Sequence, residues 1–293
     1  MMASTGTLRE RLREPRILVA PGCYDALSAA LIQRSGFAAA YLSGASIAYT
    51  RLGQPDIGLV SMQEVVDIIS AIRERVTLPL LVDADTGFGN ALNLQRTVRL
   101  FERAGASALQ IEDQQFPKRC GHLAGKRLVP VREMTGKVRA ACDARASRDT
   151  LIIARTDAVA VEGADAAFER SERYLEAGAD VLFVEALADV ESMRRLVRQM
   201  AGRVPLLVNM VEGGRTPLLT AAELQEVGFS IAIFPGAMVR VQTFAALHYL
   251  DVLAREGTTQ SLRATMLDFN ALNQLLETDA WLAHGERYAD PHD

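Results

Sequence analysis

Two aspartates lie close together in the sequence DADTGFG, residues 83–89. Asp83 and Asp85 follow an apolar run, and on an extended strand residues two apart point to the same face. The glycines after them let the chain turn sharply. Glu112, at the end of the next apolar run, would add a third carboxylate. Hard oxygen donors of this kind suit Mg²⁺, which binds few carboxylates and keeps waters and substrate oxygens, and no histidine cluster points to zinc.

A thiol lies in the middle of a long polar loop, FPKRCGHLAGKR, residues 116–127. Lys118, Arg119 and His122 flank Cys120, and cations near a thiol lower its pKa and attract an anionic substrate. The glycines of this loop give it the hinge freedom of a lid. We therefore expect Cys120 to be a reactive group, whereas the other two cysteines are interpreted as small buried hydrophobic residues.

Polar side chains follow almost every apolar run of the chain. The runs are continuously apolar, which is typical of parallel strands buried on both faces. In a (β/α)8 barrel the carboxyl ends of such strands converge on one mouth, where active sites form. Charged groups there are costly to bury without a metal or an opposite charge, so their coincidence on separate strands indicates one site. These residues are Asp25, Ser43, Asp83, Asp85, Glu112, Asp113, Arg155, Asp157, Glu185 and Asn209.

Eight apolar runs alternate with amphipathic segments, which predicts an α/β fold with a (β/α)8 barrel. Ser61 with Glu64, and Thr220 with Glu223, have the spacing of helix-capping boxes. A doubly wound open sheet is the alternative, but the first run lacks the glycine-rich turn often found there. The predicted strands are residues 17–20, 38–43, 79–85, 108–113, 151–157, 181–186, 205–210 and 231–235.

One junction between helix and strand recurs four times along the chain. In each, a glycine at the favoured left-handed position ends a helix and a strand follows at once. This recurrence marks repeated βα units and supports the barrel. The glycines are Gly36, Gly105, Gly178 and Gly228.

The composition excludes several classes of protein. The chain has 293 residues, of which 49% are hydrophobic and 23% charged, enough apolar material for one large core. A net charge of −4 without a basic face argues against nucleic-acid binding. No apolar run is long enough for a membrane span or an export signal. Cys23, Cys120 and Cys142 are too widely spaced for a disulfide framework or a zinc site, and they fit a reducing cytoplasm.

We expect one domain over residues 1–293, in which 258–293 form a C-terminal helical tail. The tail has an apolar stripe that needs a surface to cover, either its own barrel or that of a neighbouring copy. The stripe consists of Met266, Phe269, Leu272 and Leu276.

At KRCGH the sequence resembles the isocitrate lyase/phosphoenolpyruvate mutase superfamily, whose lyase branch carries a K-[KR]-C-G-H loop. The resemblance covers essentially the whole chain, and the loop cysteine argues against the mutase and oxaloacetate-decarboxylase branches. The matching motifs are YLSGAS (41–46), GQPDIG (53–58), DADTGFGN (83–90), IEDQ (111–114), PKRCGH (117–122), ARTDA (154–158), FVEA (183–186) and NMVEGGRTPL (209–218).

The resemblance implies a Mg²⁺-dependent lyase, with Mn²⁺ as a substitute, that cleaves a 2-hydroxy di- or tricarboxylate to an α-keto acid and a carboxylate. Cys120 would protonate an enolate, supported by Lys118 and His122, and Tyr41 is a candidate for accepting the alcohol proton. The resemblance also implies a homotetramer of helix-swapped dimers. The metal would be held by Asp85 with Asp83, Asp56 and Glu112 around it. The substrate would be bound by Ser43, Gly44, Ala45, Gly121, His122, Arg155, Glu185, Asn209 and Arg240.

The substrate stays open, because the sequence departs from the 2-methylisocitrate lyase pattern at Ala45 and Val211. NMVEGG (209–214) is more similar to the petal-death and dimethylmalate lyase branch, whereas Arg240 resembles the methylisocitrate branch. Pro235 stands where oxaloacetate hydrolases carry a serine. The alternatives are a carboxyphosphonoenolpyruvate or phosphonate mutase, an oxaloacetate-acting member, and a non-catalytic barrel. Metal carboxylates together with a loop thiol argue against the last of these.

Overall fold

Eight parallel strands form a closed barrel in the computed structural model, in the order in which they occur along the chain. Each strand pairs with its sequence neighbours, and the first closes on the last with Leu18 opposite Ile231. The (β/α)8 prediction is therefore confirmed, with every predicted strand present. The strands are β1 (Leu18–Cys23), β2 (Ala40–Leu42), β3 (Leu80–Asp83), β4 (Ala108–Glu112), β5 (Leu151–Thr156), β6 (Val181–Val184), β7 (Leu206–Asn209) and β8 (Ile231–Phe234).

The structure describes residues 6–121, 123–200 and 202–289. Its α-helices are α1 (Leu8–Arg11), α2 (Ala26–Arg34), α3 (Gly44–Ile47), α4 (Met62–Arg73), α5 (Ala91–Ala104), α6 (Val131–Ala144), α7 (Ala164–Glu176), α8 (Val190–Met200), α9 (Ala221–Val227), α10 (Ala237–Glu256), α11 (Phe269–Leu275) and α12 (Thr278–Glu286). A π-helical segment, Ala48–Leu52, continues α3, and short 3-10 helices cover Ala158–Ala160 and Gln260–Thr265.

The helix ends follow the local chemistry of the sequence. Both predicted capping boxes are present, at Ser61 before α4 and at Thr220 before α9. All four recurring glycines have positive φ, so they end their helices in the left-handed conformation as predicted. Asp25, directly after β1, caps α2, because its carboxylate accepts a hydrogen bond from the Ser28 amide at 2.7 Å. Its predicted part in the site stays a prediction.

Two apolar layers hold the barrel together. One lies between the strands and the surrounding helices, and the other fills the barrel with residues that alternate along each strand, such as Leu81, Ile153 and Leu207. The inward-facing residue two positions further on is polar: Asp83 follows Leu81, and Arg155 follows Ile153. Because side chains repeat every two residues on a strand, the packed core changes to a polar layer at the carboxyl ends. That layer is the candidate site.

The chain divides into two compact units, Met1–Val239 and Arg240–Asp293. The second contains most of α10 together with α11 and α12. Its predicted apolar stripe is exposed in the structure, and so are Phe244, Leu247 and Trp281. The prediction of one domain with a tail from residue 258 stays a prediction. Among the described residues, none of the helices combines the length and the apolar character needed to cross a membrane.

A substitution at Gly22 of β1 tests how closely β1 and the end of β8 pack where the barrel closes. A Cβ atom at this position would lie 2.1 Å from the carbonyl oxygen of Pro235, a backbone atom that cannot move aside without shifting the strand. We expect Gly22→Ala to lower the free energy of unfolding by about 1–3 kcal/mol, the usual range for overpacking. Gly136→Ala is the control, because Gly136 lies inside α6 with open space around it and should gain up to about 1 kcal/mol. Urea unfolding of both variants measures the difference, and equal midpoints would contradict the argument.

Candidate active site

The two aspartates of the DADTGFG segment meet by a turn and not by strand alternation. β3 ends at Asp83, and Asp85 has a φ of 46°, in the left-handed region that non-glycine residues rarely adopt. The Asp85 amide donates to Asp83 Oδ1 at 3.1 Å, and the Asp85 carbonyl accepts from the Glu112 amide at 2.9 Å. Our reason for expecting both carboxylates on one face was therefore wrong, although they do share one site. Backbone strain of this kind is typical of functional sites.

Lys118 lies among these carboxylates. Its Nζ is 2.5 Å from Asp56 Oδ1 and 2.7 Å from Asp85 Oδ1. Although burial opposes the ammonium form, the surrounding carboxylates raise the Lys118 pKa well above its usual value. Gly44 lies against the same group, since a Cβ there would be 3.2 Å from Asp83 Oδ2 and 3.3 Å from Asp85 Oδ1. The Lys118 ammonium therefore lies where a positive charge offsets the negative charge of the buried carboxylates.

Lys118 alone does not balance the negative charge. Burial, with the charges of Asp83 and Asp56, raises the pKa of Asp85 to about 6 despite Lys118. Burial likewise raises the pKa of Glu112 well above its usual value, and its buried Oε1 has no hydrogen-bond partner among the described residues. In the described part of the mouth, six buried carboxylates face three buried cations. The carboxylates are Asp56, Asp83, Asp85, Glu112, Asp157 and Glu185, and the cations are Lys118, Lys126 and Arg155.

This donor set fits Mg²⁺. In the described ranges, no group of three or more His, Cys, Asp or Glu side chains forms a ready-made metal cage. Mg²⁺ does not need one, because it is usually held by one or two carboxylates, water and substrate oxygens. Asp85 and Asp83 would be the nearest ligands, with Asp56 and Glu112 around them. Their role as metal ligands stays a prediction.

Arg155 joins the two sides of the mouth. Its guanidinium lies 3.3 Å from Glu112 Oε2 on one side and 3.3 Å from Glu185 Oε2 on the other, and it bonds Asp157 twice, at 3.0 and 3.1 Å. Asn209 donates to Glu185 Oε2 at 3.1 Å, and its buried Oδ1 has no partner within the described part of the chain. The buried oxygens Glu112 Oε1 and Asn209 Oδ1 thus remain available to accept hydrogen bonds from a polar group.

The Cys120 loop is fastened to the barrel at several points. The Gln114 side chain holds the backbone of Arg119 in both directions, at 2.8 and 3.0 Å, and the Cys120 amide donates to the Asp56 carbonyl at 3.3 Å. The loop also reaches the opposite side of the mouth, because a Cβ on Gly121 would be 2.5 Å from Arg155 Nη2. Cys120 is partly exposed and free of disulfides. The loop therefore covers the mouth and carries the thiol with it.

Lys118 and Arg119, which flank the thiol in the sequence, each contact other groups as well. The Lys118 ammonium is directed to the carboxylates, and Arg119 Nη1 donates to Ala124 O of its own loop at 3.0 Å. Their predicted effect on the thiol pKa stays a prediction. His122 lies outside the described residues.

Tyr41 lies in the inner layer of the barrel. Its hydroxyl donates to Gln110 Oε1 at 2.8 Å, and Gln110 Nε2 donates to Asp83 Oδ1 at 3.3 Å. Burial and the charge of Asp83 raise the Tyr41 pKa well above its usual value. A neutral hydroxyl that already donates a hydrogen bond is a poor proton acceptor, so this environment gives no support to Tyr41 as the base. It orients Gln110, which in turn holds Asp83.

The predicted carboxylate-binding segment lies at the start of α3. Ser43 caps this helix by accepting from the Ser46 amide at 3.2 Å, and Gly44 and Ala45 form its first turn. The start of this helix lies beside Asp83 and Asp85, as the distances from a Cβ on Gly44 show. Arg240 is exposed and belongs to the second unit, so its predicted substrate contact stays a prediction.

Two further residues of the mouth were not among the predicted site residues: Gln110 and Lys126. Gln110 could have been found, because it lies one strand repeat before Glu112 on β4. Lys126 Nζ is 3.1 Å from Asp157 Oδ1, a contact between distant parts of the sequence that no local pattern reveals. Asp113 is structural, since it faces Thr156, Tyr174 and Arg170 behind the strand.

Comparison with known proteins agrees with this geometry. The family described as phosphoenolpyruvate phosphomutase matches residues 8–252. The chain is 45% identical over 275 residues to 2,3-dimethylmalate lyase of Eubacterium barkeri, covering 94% of each protein. It is 47% identical over 255 residues to 2-methylisocitrate lyase of Aeropyrum pernix, covering 87% of this chain and 81% of the relative.

Solved structures give the same result. A crystal structure of 2,3-dimethylmalate lyase superposes with a TM-score of 0.92 at 35% identity, covering 100% of this chain and 97% of the other. A phosphonopyruvate hydrolase solved in complex with oxalate and Mg²⁺ superposes with a TM-score of 0.87 at 31% identity, covering 98% and 99%. The chain therefore belongs to the phosphoenolpyruvate mutase/isocitrate lyase superfamily, and its close relatives are lyases.

Proposed function

We propose that this protein is a Mg²⁺-dependent carbon–carbon lyase that cleaves a 2-hydroxy di- or tricarboxylate of the 2-alkylmalate or 2-methylisocitrate type. The observation that carries the proposal is the arrangement of charges in the buried mouth. On one side of Arg155 the carboxylates outnumber the cations, and on the other side Asn209 Oδ1 has no hydrogen-bond partner among the described residues. The Cys120 loop lies against Arg155. The two sides of the mouth suit the two products, an α-keto acid next to the metal and a carboxylate next to Arg155.

The reaction is a retro-aldol cleavage. The substrate hydroxyl loses its proton and becomes a carbonyl, the adjacent C–C bond breaks, and its electron pair stays on the departing carbon as an enolate. Mg²⁺, when bound, would polarise the hydroxyl and the neighbouring carboxylate. Ser43 and the amides of Gly44 and Ala45 would hold the keto-acid carboxylate. Arg155, which the carboxylates fix in place, would stabilise the charge of the enolate.

The Cys120 thiol would then transfer its proton to the enolate carbon and become a thiolate. Gly121, Glu185, Asn209 and His122 would hold the second product. The surroundings of Tyr41 leave the base that accepts the hydroxyl proton without an assigned residue.

A substrate panel tests the proposal directly. It consists of 2-methylisocitrate, isocitrate, 2,3-dimethylmalate, other 2-alkylmalates, oxaloacetate and phosphonopyruvate, and release of pyruvate or glyoxylate is measured. Cleavage of a 2-hydroxy acid supports the lyase, turnover of phosphonopyruvate alone favours a phosphonate-acting enzyme, and no turnover of any compound favours a non-catalytic barrel.

Metal removal should abolish turnover, and Mg²⁺ or Mn²⁺ should restore it. Asp85→Asn should lose most of the Mg²⁺ affinity, because it removes a charge from the centre of the carboxylate group. Asp25→Asn is the control, since Asp25 is an exposed helix cap and asparagine caps equally well. Calorimetric titration with Mg²⁺ measures both variants, and full activity in excess EDTA would refute the metal assignment.

Cys120→Ser should lower kcat by about 10²–10⁴-fold with little change in substrate affinity, because a hydroxyl is a far weaker acid than a thiol. Cys142→Ser is the control, since this half-buried thiol of α6 donates to the Gly178 carbonyl away from the mouth. In D₂O, the enolate-derived product of the native enzyme should carry one deuterium. Near-native turnover by Cys120→Ser would make Cys120 a loop residue only.

We also propose a homo-oligomer, a dimer of dimers that exchange C-terminal helices. Within the second unit, Phe269 and Phe244 are 83% and 77% exposed, and such a surface in water favours association. Multi-angle light scattering at micromolar concentration should therefore give a multiple of the monomer mass, and Phe269→Arg should weaken the assembly. A monomer throughout the concentration range would contradict the proposal.

A further inference from the structure

The lysines of this protein are distributed unusually. The sequence contains only three, Lys118, Lys126 and Lys137, and all three are buried. Each ammonium contacts a loop at the mouth of the barrel. Lys118 meets the metal carboxylates, Lys126 donates to the Gly121 carbonyl, and Lys137 donates to the Thr86 carbonyl at 3.0 Å.

Lys126 links the Cys120 loop to the side of the mouth that holds Arg155, in addition to the approach of Gly121. It lies in the Cys120 loop, and its Nζ contacts both the carbonyl of Gly121, the residue after Cys120, and Asp157 Oδ1 at 3.1 Å. The Lys126 and Asp157 side chains are 1% and 0% exposed. A charge-assisted hydrogen bond in such a water-excluded place is strong, and leaving one partner alone is costly.

Asp157 is itself fixed to the barrel and orients Arg155. Its amide donates to Asp113 Oδ1 at 3.0 Å, and its two carboxylate oxygens accept from Nε and Nη2 of Arg155. Although burial opposes its ionised form, Arg155 and Lys126 hold the Asp157 pKa below its usual value. The same carboxylate thus binds the enolate-stabilising arginine and the lysine of the loop.

We propose that Lys126 is a positioning residue that latches the Cys120 loop to Asp157, so that closure of the loop is coupled to the orientation of Arg155. Opening the loop removes one of the two cations of Asp157. Closing it restores that cation and brings Gly121 against Arg155. The consequence for turnover rests on the proposed function, whereas the latch can be tested without substrate.

Because the sequence has only three lysines, the rate of amine acetylation can be followed at each of them. A pulse of acetic anhydride followed by hydroxylamine, which removes acetyl groups from thiols, phenols and imidazoles, leaves stable labels on amines only, here the amino terminus and the three lysines, and mass spectrometry gives the rate at each site. Lys118 reports opening of the loop, and Lys137, on α6, is an internal control for the barrel. We expect Lys126→Met to speed acetylation of Lys118 by about tenfold or more, as befits loss of one charge-assisted hydrogen bond, and to leave Lys137 unchanged.

Two further variants make the result specific. Asp157→Asn removes the partner of Lys126 and should speed acetylation of Lys118 in the same way. This variant keeps the latch testable if the Lys126→Met protein does not fold. Arg127→Met removes an exposed cation from the same loop and should leave the Lys118 rate as in the native protein. Equal acceleration by Arg127→Met, an unchanged Lys118 rate in Lys126→Met and Asp157→Asn, or a parallel rise at Lys137 would each overturn the latch.

Activity then tests the coupling. Lys126→Met should lower kcat and raise KM, and Lys126→Arg should recover part of both, because the positive charge is retained. Native values of kcat and KM in a Lys126→Met protein whose Lys118 reacts faster would overturn the coupling. If the native protein cleaves none of the panel compounds while the labelling pattern holds, the lyase proposal fails and the latch stands.

Discussion

Negative charge buried at the mouth of the barrel is the constraint on which the rest of the site depends. Taking a carboxylate out of water costs several kcal/mol even after the protein relaxes, so each one needs an opposite charge or a proton. Lys118 and Arg155 supply part of that charge, and burial still raises the pKa values of Asp85 and Glu112 above their usual range. A divalent cation would complete the balance.

The barrel meets this constraint through its geometry. The strands β2 to β7 each carry an inner-layer residue into the barrel and, two positions later, a polar residue to the mouth, so the same strands contribute to stability and to the site. Arg155 shows the benefit, since neighbouring strands hold Glu112 and Glu185 on either side of it at 3.3 Å. No single loop could set these distances, because they follow from the pairing of β4, β5 and β6.

The sequence predicted the fold almost completely, because the signals of a (β/α)8 barrel are local. Apolar runs, capping boxes and helix-ending glycines each occupy a few consecutive residues. Most of the candidate site followed from strand ends for the same reason. The reasoning was wrong where a local pattern had a second structural meaning: Asp85 reaches Asp83 through a left-handed turn and not along the strand. The pairing of Lys126 with Asp157 could not be predicted, because the two residues are 31 apart and meet only after the barrel closes.

The burial of every lysine also determines how the protein surface behaves in alkaline solution. Its exposed side-chain cations are guanidinium groups or histidines, and a guanidinium does not lose its proton in any condition that a folded protein survives. A surface rich in lysine would lose positive charge as the pH passes about 10 and become increasingly self-repelling. This surface keeps its arginine ion pairs there, and the Lys118 ammonium, whose pKa lies well above its usual value, keeps its proton as well. Burial lowers the pKa of Lys137, so alkaline loss of charge would begin at its contact with the Thr86 carbonyl and not at the periphery.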